Sequence, residues 1–220
     1  MIRSNNEAGR SMIEMLGVLA IIGVLSVGGI AGYSKAMMQY KINKSVDQIS
    51  QIVGNIRTLY GGQRTYNGLN CYGNGGCYAT DTTGKILKKA HAVPDEMWNS
   101  DGKIENPFGG DVDIATTGKK GSDDKAFSIR FKSVPEEACM ALATYDWGSG
   151  SSSGLLAVSV NYGTAGGFNG AYSVGCTGRS ADGNAVACPN GSSVSVPMPV
   201  NIAATACQAG DNNEFMLQFY

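Results

Sequence analysis

Six cysteines, at positions 71, 77, 139, 176, 188 and 207, are the residues of this 220-residue chain with the plainest chemistry open to them. Their number is even, they lie in a Gly- and Ser-rich background, and no spacing among them makes the close CxxC pair that a zinc site uses. They read as disulfides, which places this part of the chain in an oxidising compartment. The sequence leaves their pairing open. The single histidine, His91, excludes a His-rich metal site, and any Ser/His/Asp or Cys/His mechanism would have to run through it. It follows Lys88-Lys89 with no carboxylate at a spacing that would make it a base, so it reads as a surface or helix-end residue. Asp111 with Asp113, Asp123-Asp124, and Asp211-Asn-Asn-Glu214 are oxygen-rich, but none matches the EF-hand loop, and solvated turns are the plainer reading. No nucleophile, base and orienter fall into a recognisable set, which disfavours an anchored extracytoplasmic enzyme. No metal and no cofactor is expected.

Charge narrows the classes further. Seventeen Lys and Arg against 18 Asp and Glu leave a net of -1, which excludes a nucleic-acid binder working by bulk charge. The first 60 residues hold six basic and three acidic side chains, and residues 61–220 hold eleven and fifteen. The head is basic and the body mildly acidic. A hydrophobic fraction of 43% with 16% charged residues excludes a disordered chain and implies that apolar residues are concentrated somewhere.

They are concentrated near the N-terminus. Residues 12–33 are apolar with little interruption, and the run from Met15 to Tyr33 approaches the ~20 residues that span a bilayer as a helix. A cleaved secretory signal would have a core of about 7–15 residues and would stop. Here the pattern continues through Ile42, Val46, Ile49, Val53, Ile56 and Tyr60 in steps of three and four, with Lys44, Asp47, Gln48, Gln51 and Asn55 between them. One helix from about Ser11 to Tyr60 is expected, roughly 75 Å long, apolar all round in its first half and amphipathic in its second. Gly61-Gly62 ends it. Glu14 opens the apolar run, where a carboxylate needs a partner: Ser11 in a capping box, or a cation on another subunit. Gly28 and Gly32 form a small-xxx-small pair that suits close helix approach. Flanking charges (Arg3 and Arg10 before the span; Lys35, Lys41 and Lys44 after it) do not orient the helix, whereas a disulfide-bonded body puts its far end outside the cytoplasm.

In the body, residues 61–80 read as a Gly- and Asn-rich loop. A short helix is expected at Lys85 to Ala90. Strands are expected at Asp111 to Ala115, Ala126 to Phe131, Leu155 to Val160, Ser193 to Val196 and Glu214 to Phe219. Ser133 with Glu136 makes a second capping box, opening a helix at Val134 to Tyr145 that carries Cys139. The fold class is α+β: a long N-terminal helix packed on an antiparallel sheet in a disulfide-bonded C-terminal domain.

The stretch Gly9-Arg10-Ser11-Met12-Ile13-Glu14-Met15-Leu16 resembles the processing motif of type IV pilin-like proteins: a glycine, a hydroxyl residue two places on and a glutamate five places on, opening a long apolar helix. The resemblance implies that a prepilin peptidase cuts between Gly9 and Arg10 on the cytoplasmic side and that the new amine is N-methylated. It implies a leader of residues 1–9, an N-terminal helix of 10–60 for anchoring and assembly, and an extracytoplasmic globular domain of 61–220. It also gives Glu14 the role of neutralising the N-terminal amine of a neighbouring subunit, since a buried carboxylate is tolerated when paired with an ammonium.

Val93-Pro94, the run Asn106-Pro-Phe-Gly-Gly110, Val134-Pro135-Glu136 with Cys139, and Ala204-Thr-Ala-Cys207 before a last strand are similar to type IVb pilins of the conjugative thin-pilus kind. That resemblance implies a large disulfide between Cys139 and Cys207, leaving Cys176 with Cys188 and Cys71 with Cys77 as local rings. On the chain-entropy model the large ring contributes roughly 4 kcal/mol and the small ones roughly 2–3 each. The function implied is a structural pilus subunit. It would reside in the inner membrane before assembly and in a filament on the cell surface after it. Its partners would be the peptidase, identical or related pilin subunits, the inner-membrane assembly machinery and, before assembly, membrane lipid. The alternatives are a minor tip pilin acting as an adhesin, with the Cys176 to Cys188 loop as its contact surface, and a type II secretion pseudopilin.

Overall fold

No proline occurs before Pro94, and nothing else in the first 60 residues forces a break, so backbone hydrogen bonding runs on uninterrupted. In the computed structural model, which describes residues 7–63, 65–71, 76–117, 125–148, 154–161, 177–178 and 197–219, helix α1 spans Glu7–Tyr60. It starts four residues before Ser11. Ser11 and Glu14 are therefore interior helical residues and not an N-cap and its partner, because Glu7 and Ala8 are good helix formers and an acid suits the positive end of the helix dipole. The chain falls into two compact units, Met1–Tyr40 and Lys41–Tyr220, so the division lies inside α1.

Within the second unit the expected stripe of α1 becomes a buried face. Ile42, Ile49, Ile52, Val53, Ile56 and Tyr60 are all buried. Two polar side chains on this stretch are buried as well. Ser45 Oγ donates to Lys41 O at 2.8 Å, and Gln48 Nε2 donates to Glu96 Oε1 at 2.7 Å. Lys44 Nζ lies 3.4 Å from the same Glu96 oxygen, and Asn55 Nδ2 reaches His91 O at 3.1 Å. The short 3-10 helix Asp95–Met97 and the residues just before it are thus held to α1 by polar contacts.

A six-stranded antiparallel sheet forms the other layer, built from β1 (Asn70–Cys71), β2 (Val112–Thr117), β3 (Ala126–Val134), β4 (Leu155–Val160), β5 (Thr177–Gly178) and β6 (Asn213–Phe219). Its order is β1-β2-β3-β6-β4-β5, so the last strand is central. In β6 the residues alternate in burial: Asn213, Phe215, Leu217 and Phe219 face the core. Across it, Ile129 and Val158 flank Leu217, and Phe131 and Val160 flank Phe215. Helix α2 spans Thr82–Lys89, α3 Glu136–Thr144 and α4 Val200–Ala206. The strand expected at 193–196 and the aspartates at 123–124 lie outside the described residues.

Two expectations about the body are corrected. Ser133 does not cap α3: it sits in β3 at φ 53°, where the pairing with β6 shifts register between Phe131 and Val134. Pro135 occupies the N-cap position instead, and because proline pushes its predecessor into extended backbone, Val134 stays in the strand. Asp113 is not a solvated turn. It is a fully buried β2 residue whose Oδ2 pairs with Arg130 and with Lys132, the latter at 2.9 Å, while Glu214 meets Arg130 at 3.2 Å. These side chains link β2, β3 and β6.

The Asn-Pro-Phe-Gly-Gly run makes the turn before β2. Asn106 Oδ1 accepts from Phe108 N at 2.9 Å and from Gly110 N at 3.2 Å, while its Nδ2 donates to Lys132 O at 2.8 Å. A Cβ at Gly110 would stand 1.9 Å from Lys132 O, so this close approach admits only glycine.

The hydrogen bond from Gln48 is the largest influence on Glu96; with the nearby Lys44 charge it outweighs partial burial and holds the carboxyl below the usual carboxylate range. A lowered folded-state pKa gives stability that is present above the unfolded value and lost as pH falls through the folded one. Glu96 is half exposed, so the effect is small, about 1 kcal/mol or less. Glu96→Gln is expected to lower the urea midpoint of the full chain in detergent at pH 7. The gap from the unsubstituted protein should close as pH is taken from about 5 down through the lowered pKa. A gap that stays constant to pH 3 would show that the charge of Glu96 plays no part.

Candidate assembly surface

Along the first half of α1, from Met12 to Tyr33, every large apolar side chain is exposed, from 53% at Ile22 to 75% at Val24. Residues of this kind each contribute about 1.5–3 kcal/mol when fully buried. The helix is long and apolar enough to cross a membrane. Around glycines 17, 23, 28, 29 and 32 no atom outside the helix backbone lies within 4 Å of where a Cβ would stand, so they leave shallow strips on this surface where another helix backbone can approach.

Gly9 and Arg10 lie in the first turn of α1. Glu14 stands one turn further on, exposed, between Ile13 and Met15. Its carboxylate is thus set at the polar edge of an apolar cylinder.

The disulfides lie in the second unit. Cys71 at the end of β1 joins Cys77, with Cα atoms 4.9 Å apart. Cys139 on α3 joins Cys207, the residue that ends α4, with Cα atoms 5.9 Å apart. Cys176 and Cys188 lie outside the described residues. The second bond ties α3 to the segment that leads into central strand β6.

Two asparagines reinforce this junction: Asn161, which the sequence did not single out, and Asn213, which belongs with Glu214 to β6 and is buried rather than part of the solvated turn expected at Asp211 to Glu214. Asn213 Oδ1 accepts from Gln208 N and from Asn161 Nδ2, both at 2.7 Å, and its Nδ2 donates to Gln208 O at 2.8 Å and Val134 O at 3.2 Å. Asn161, in left-handed backbone at φ 51°, donates to Ala206 O at 2.7 Å and accepts from Glu214 N at 2.8 Å. The signal for them was faint: asparagine tolerates positive φ and carries both donor and acceptor, but many asparagines in this chain sit in ordinary loops.

His91 is three-quarters exposed, with Nδ1 3.6 Å from Asp95 Oδ1. Asp111 engages Lys103 Nζ at 2.5 Å and Asp113 engages two cations, so these carboxylates face positive side chains rather than one another. Among the described residues no three His, Cys, Asp or Glu side chains gather as metal ligands would.

A family model described as PilS N terminal matches residues 39–218, most of the second half of α1 and nearly all of the sheet-bearing unit. The chain belongs to the PilS N-terminal family. It is a type IV pilin-like protein with the α+β pilin fold. Among curated proteins it is 29% identical over 146 residues to the major structural subunit of bundle-forming pilus from Escherichia coli O127:H6 (strain E2348/69 / EPEC), covering 65% of this chain and 67% of that one. The crystal structure of TcpA, a type IV pilin from Vibrio cholerae El Tor biotype, superposes with a TM-score of 0.53 at 14% identity over 82% of this chain and 99% of that one, which shows a shared fold. A type IVb pilin from Salmonella typhi gives a TM-score of 0.47 at 15% identity over 80% and 97% of the two chains. The family match begins at residue 39, so the processing motif and the apolar half of α1 rest on this chain's own residues.

Closing a loop of 68 residues by the Cys139–Cys207 bond is worth roughly 4 kcal/mol on the chain-entropy model. The variant Cys139→Ala/Cys207→Ala should therefore unfold at a clearly lower urea concentration, with the loss read as increased trypsin sensitivity after Lys132. Replacing Cys71 and Cys77 together should cost less, roughly 2 kcal/mol.

Proposed function

We propose that the chain is made as a membrane-anchored precursor, cut between Gly9 and Arg10 by a prepilin peptidase, and polymerised through the first half of α1 into a type IVb-like pilus on the cell surface. The observation that carries this reading is the exposed apolar helix surface from Met12 to Tyr33, attached to a disulfide-bonded α+β body. Such a surface is stable in lipid before assembly and against the same surface of neighbouring subunits after it. One set of side chains serves both states.

Removal of residues 1–9 leaves Arg10 with a free α-amine at the start of the helix. Glu14 lies four residues on, one helical turn, at the start of the apolar run, and in a filament it would be covered by neighbouring helices and pair with an ammonium from the adjoining chain. Without that partner, the carboxylate would have to enter the packed bundle alone. The role is structural rather than catalytic. It uses prepilin peptidase, the inner-membrane assembly machinery, membrane lipid and further copies of the chain as partners, and the body lies outside the cytoplasm, where its disulfides form.

Intact-mass and N-terminal peptide analysis of membranes from cells with and without the peptidase tests this. A chain that starts at Arg10 only when the peptidase is present is the expected result. In the same cells Glu14→Gln should be cut normally yet yield few or no filaments. A chain that keeps Met1 in both strains, or starts after about Ala31, would remove the assembly mechanism and leave a simply anchored or secreted domain.

A further inference from the structure

A β-turn is closed by the N–H of its fourth residue, and the N–H of its third takes no part in that closure. Tyr66 to Leu69 form such a turn ahead of β1. Leu69 N donates to Tyr66 O at 3.1 Å, and Gly68, the third residue, has φ 86°, which makes the turn type II. Asn67 stands exposed at its second position. Among the described residues, neither the Asn67 carboxamide nor Gly68 N makes a hydrogen bond. We propose that Asn67 is a site of spontaneous covalent modification, losing its amide through a cyclic imide formed with Gly68. The inference goes beyond filament assembly and does not depend on it.

In the first step Gly68 N attacks Asn67 Cγ. The N–Cγ bond forms, the Cγ–Nδ2 bond breaks, and Nδ2 leaves as ammonia with the proton that Gly68 N gives up. Water then opens the five-membered imide. Addition at Cγ leaves an aspartate in place of Asn67, whereas addition at the main-chain carbonyl carbon leaves an isoaspartyl link, which runs the backbone through Cγ and lengthens it by one atom. No oxidant or reductant is needed. Either product carries one negative charge more than the chain's formal net of -1.

The turn leaves this chemistry room. Gly68 has no side chain to crowd its nitrogen, and a Cβ built on it would meet no atom within 4 Å. Its neighbours are anchored. Gly68 O accepts from Thr83 Oγ1 at 3.0 Å, Leu69 is fully buried, and Leu69 O accepts from Thr116 N at 2.7 Å. On the other side Tyr66 packs on Phe127 with ring centroids 4.8 Å apart. The movement that brings Gly68 N onto Cγ is therefore confined to the turn, and the rest of the body need not open.

Elsewhere one of these elements is missing. Asn99 precedes the small residue Ser100, but its Oδ1 accepts from Asp101 N and Lys103 N, both at 2.9 Å, and its Nδ2 donates to Glu105 Oε1 at 2.6 Å. Asp101 precedes a glycine, yet Gly102 N is engaged with Asn99 O at 3.0 Å. Asn106 precedes Pro107, which has no N–H to attack with. The other Asn-Gly pairs, at 74, 169 and 190, lie outside the described residues.

Peptide mass spectrometry on the full chain aged in detergent at about pH 8.5 and 37 °C, with fragmentation to place the change, tests the proposal. Asn67 should gain one mass unit, as aspartate and isoaspartate, at a rate within about tenfold of that of a synthetic peptide of residues 65–70. Asn99 in the same digest should stay unchanged over times in which a peptide of residues 97–101 reacts, which also checks that the chain has stayed folded. Asn67→Gln should abolish the change at this position and leave the thermal midpoint of the fresh protein where it was. A rate at Asn67 more than tenfold below that of its peptide, or conversion of Asn99 as fast as that of Asn67, would overturn it.

Discussion

A helix that carries Met, Ile, Leu and Val around its whole circumference cannot rest in water, and everything else in this protein is arranged around that constraint. Between Met12 and Tyr33 no large apolar side chain is covered by the chain itself. Lipid and the equivalent helices of other copies are the two environments that cover such a surface without new polar cost. The glycines spaced through the run lower helix propensity by up to ~1 kcal/mol each, which is tolerable in a helix that is later held by neighbours and useful where backbones must come close.

The same helix changes character at about Lys41. From there its apolar residues lie on one side and are buried in the sheet-bearing unit, and its polar residues fasten it: Gln48 and Lys44 to Glu96, Asn55 to the chain at His91. The sheet is closed by its last strand. Because β6 lies between β3 and β4, the core is incomplete until residues 213–219 arrive, and their arrival is constrained at one end by the Cys139–Cys207 bond and the Asn161–Asn213 hydrogen bonds. A long-range central strand forms slowly and is lost easily, so a covalent tie just ahead of it acts where chain entropy opposes folding most. The charged side chains of Asp113, Arg130, Lys132 and Glu214 add a second tie, across β2, β3 and β6.

Much of this architecture is legible in the residues. The apolar run and the three-four spacing after it give α1, and the alternation of Ala126 to Phe131 gives β3, because those signals are periodic and local. Less legible are the places where local signals compete. Ser133 and Glu136 have the spacing of a capping box, yet Pro135 between them holds Val134 extended, and the strand wins. Ser11 and Glu14 have the same spacing inside a helix that has already begun. Asp113 looks like part of an oxygen-rich turn until its cross-strand neighbours are known, since Arg130 is its register partner seventeen residues away. The short helix Val200–Ala206 and the two-residue strands β1 and β5 leave too little pattern to read.

The central claim is that one apolar surface serves first the membrane and then the filament. A photo-reactive benzoylphenylalanine placed at Leu25, exposed in the middle of that surface, tests it directly when filaments sheared from living cells are irradiated. The account predicts a ladder of homo-oligomers covalently joined within residues 10–33, together with lipid adducts of the monomer in the membrane fraction. Sheared filaments that contain the chain but yield no joined copies through this position would contradict it.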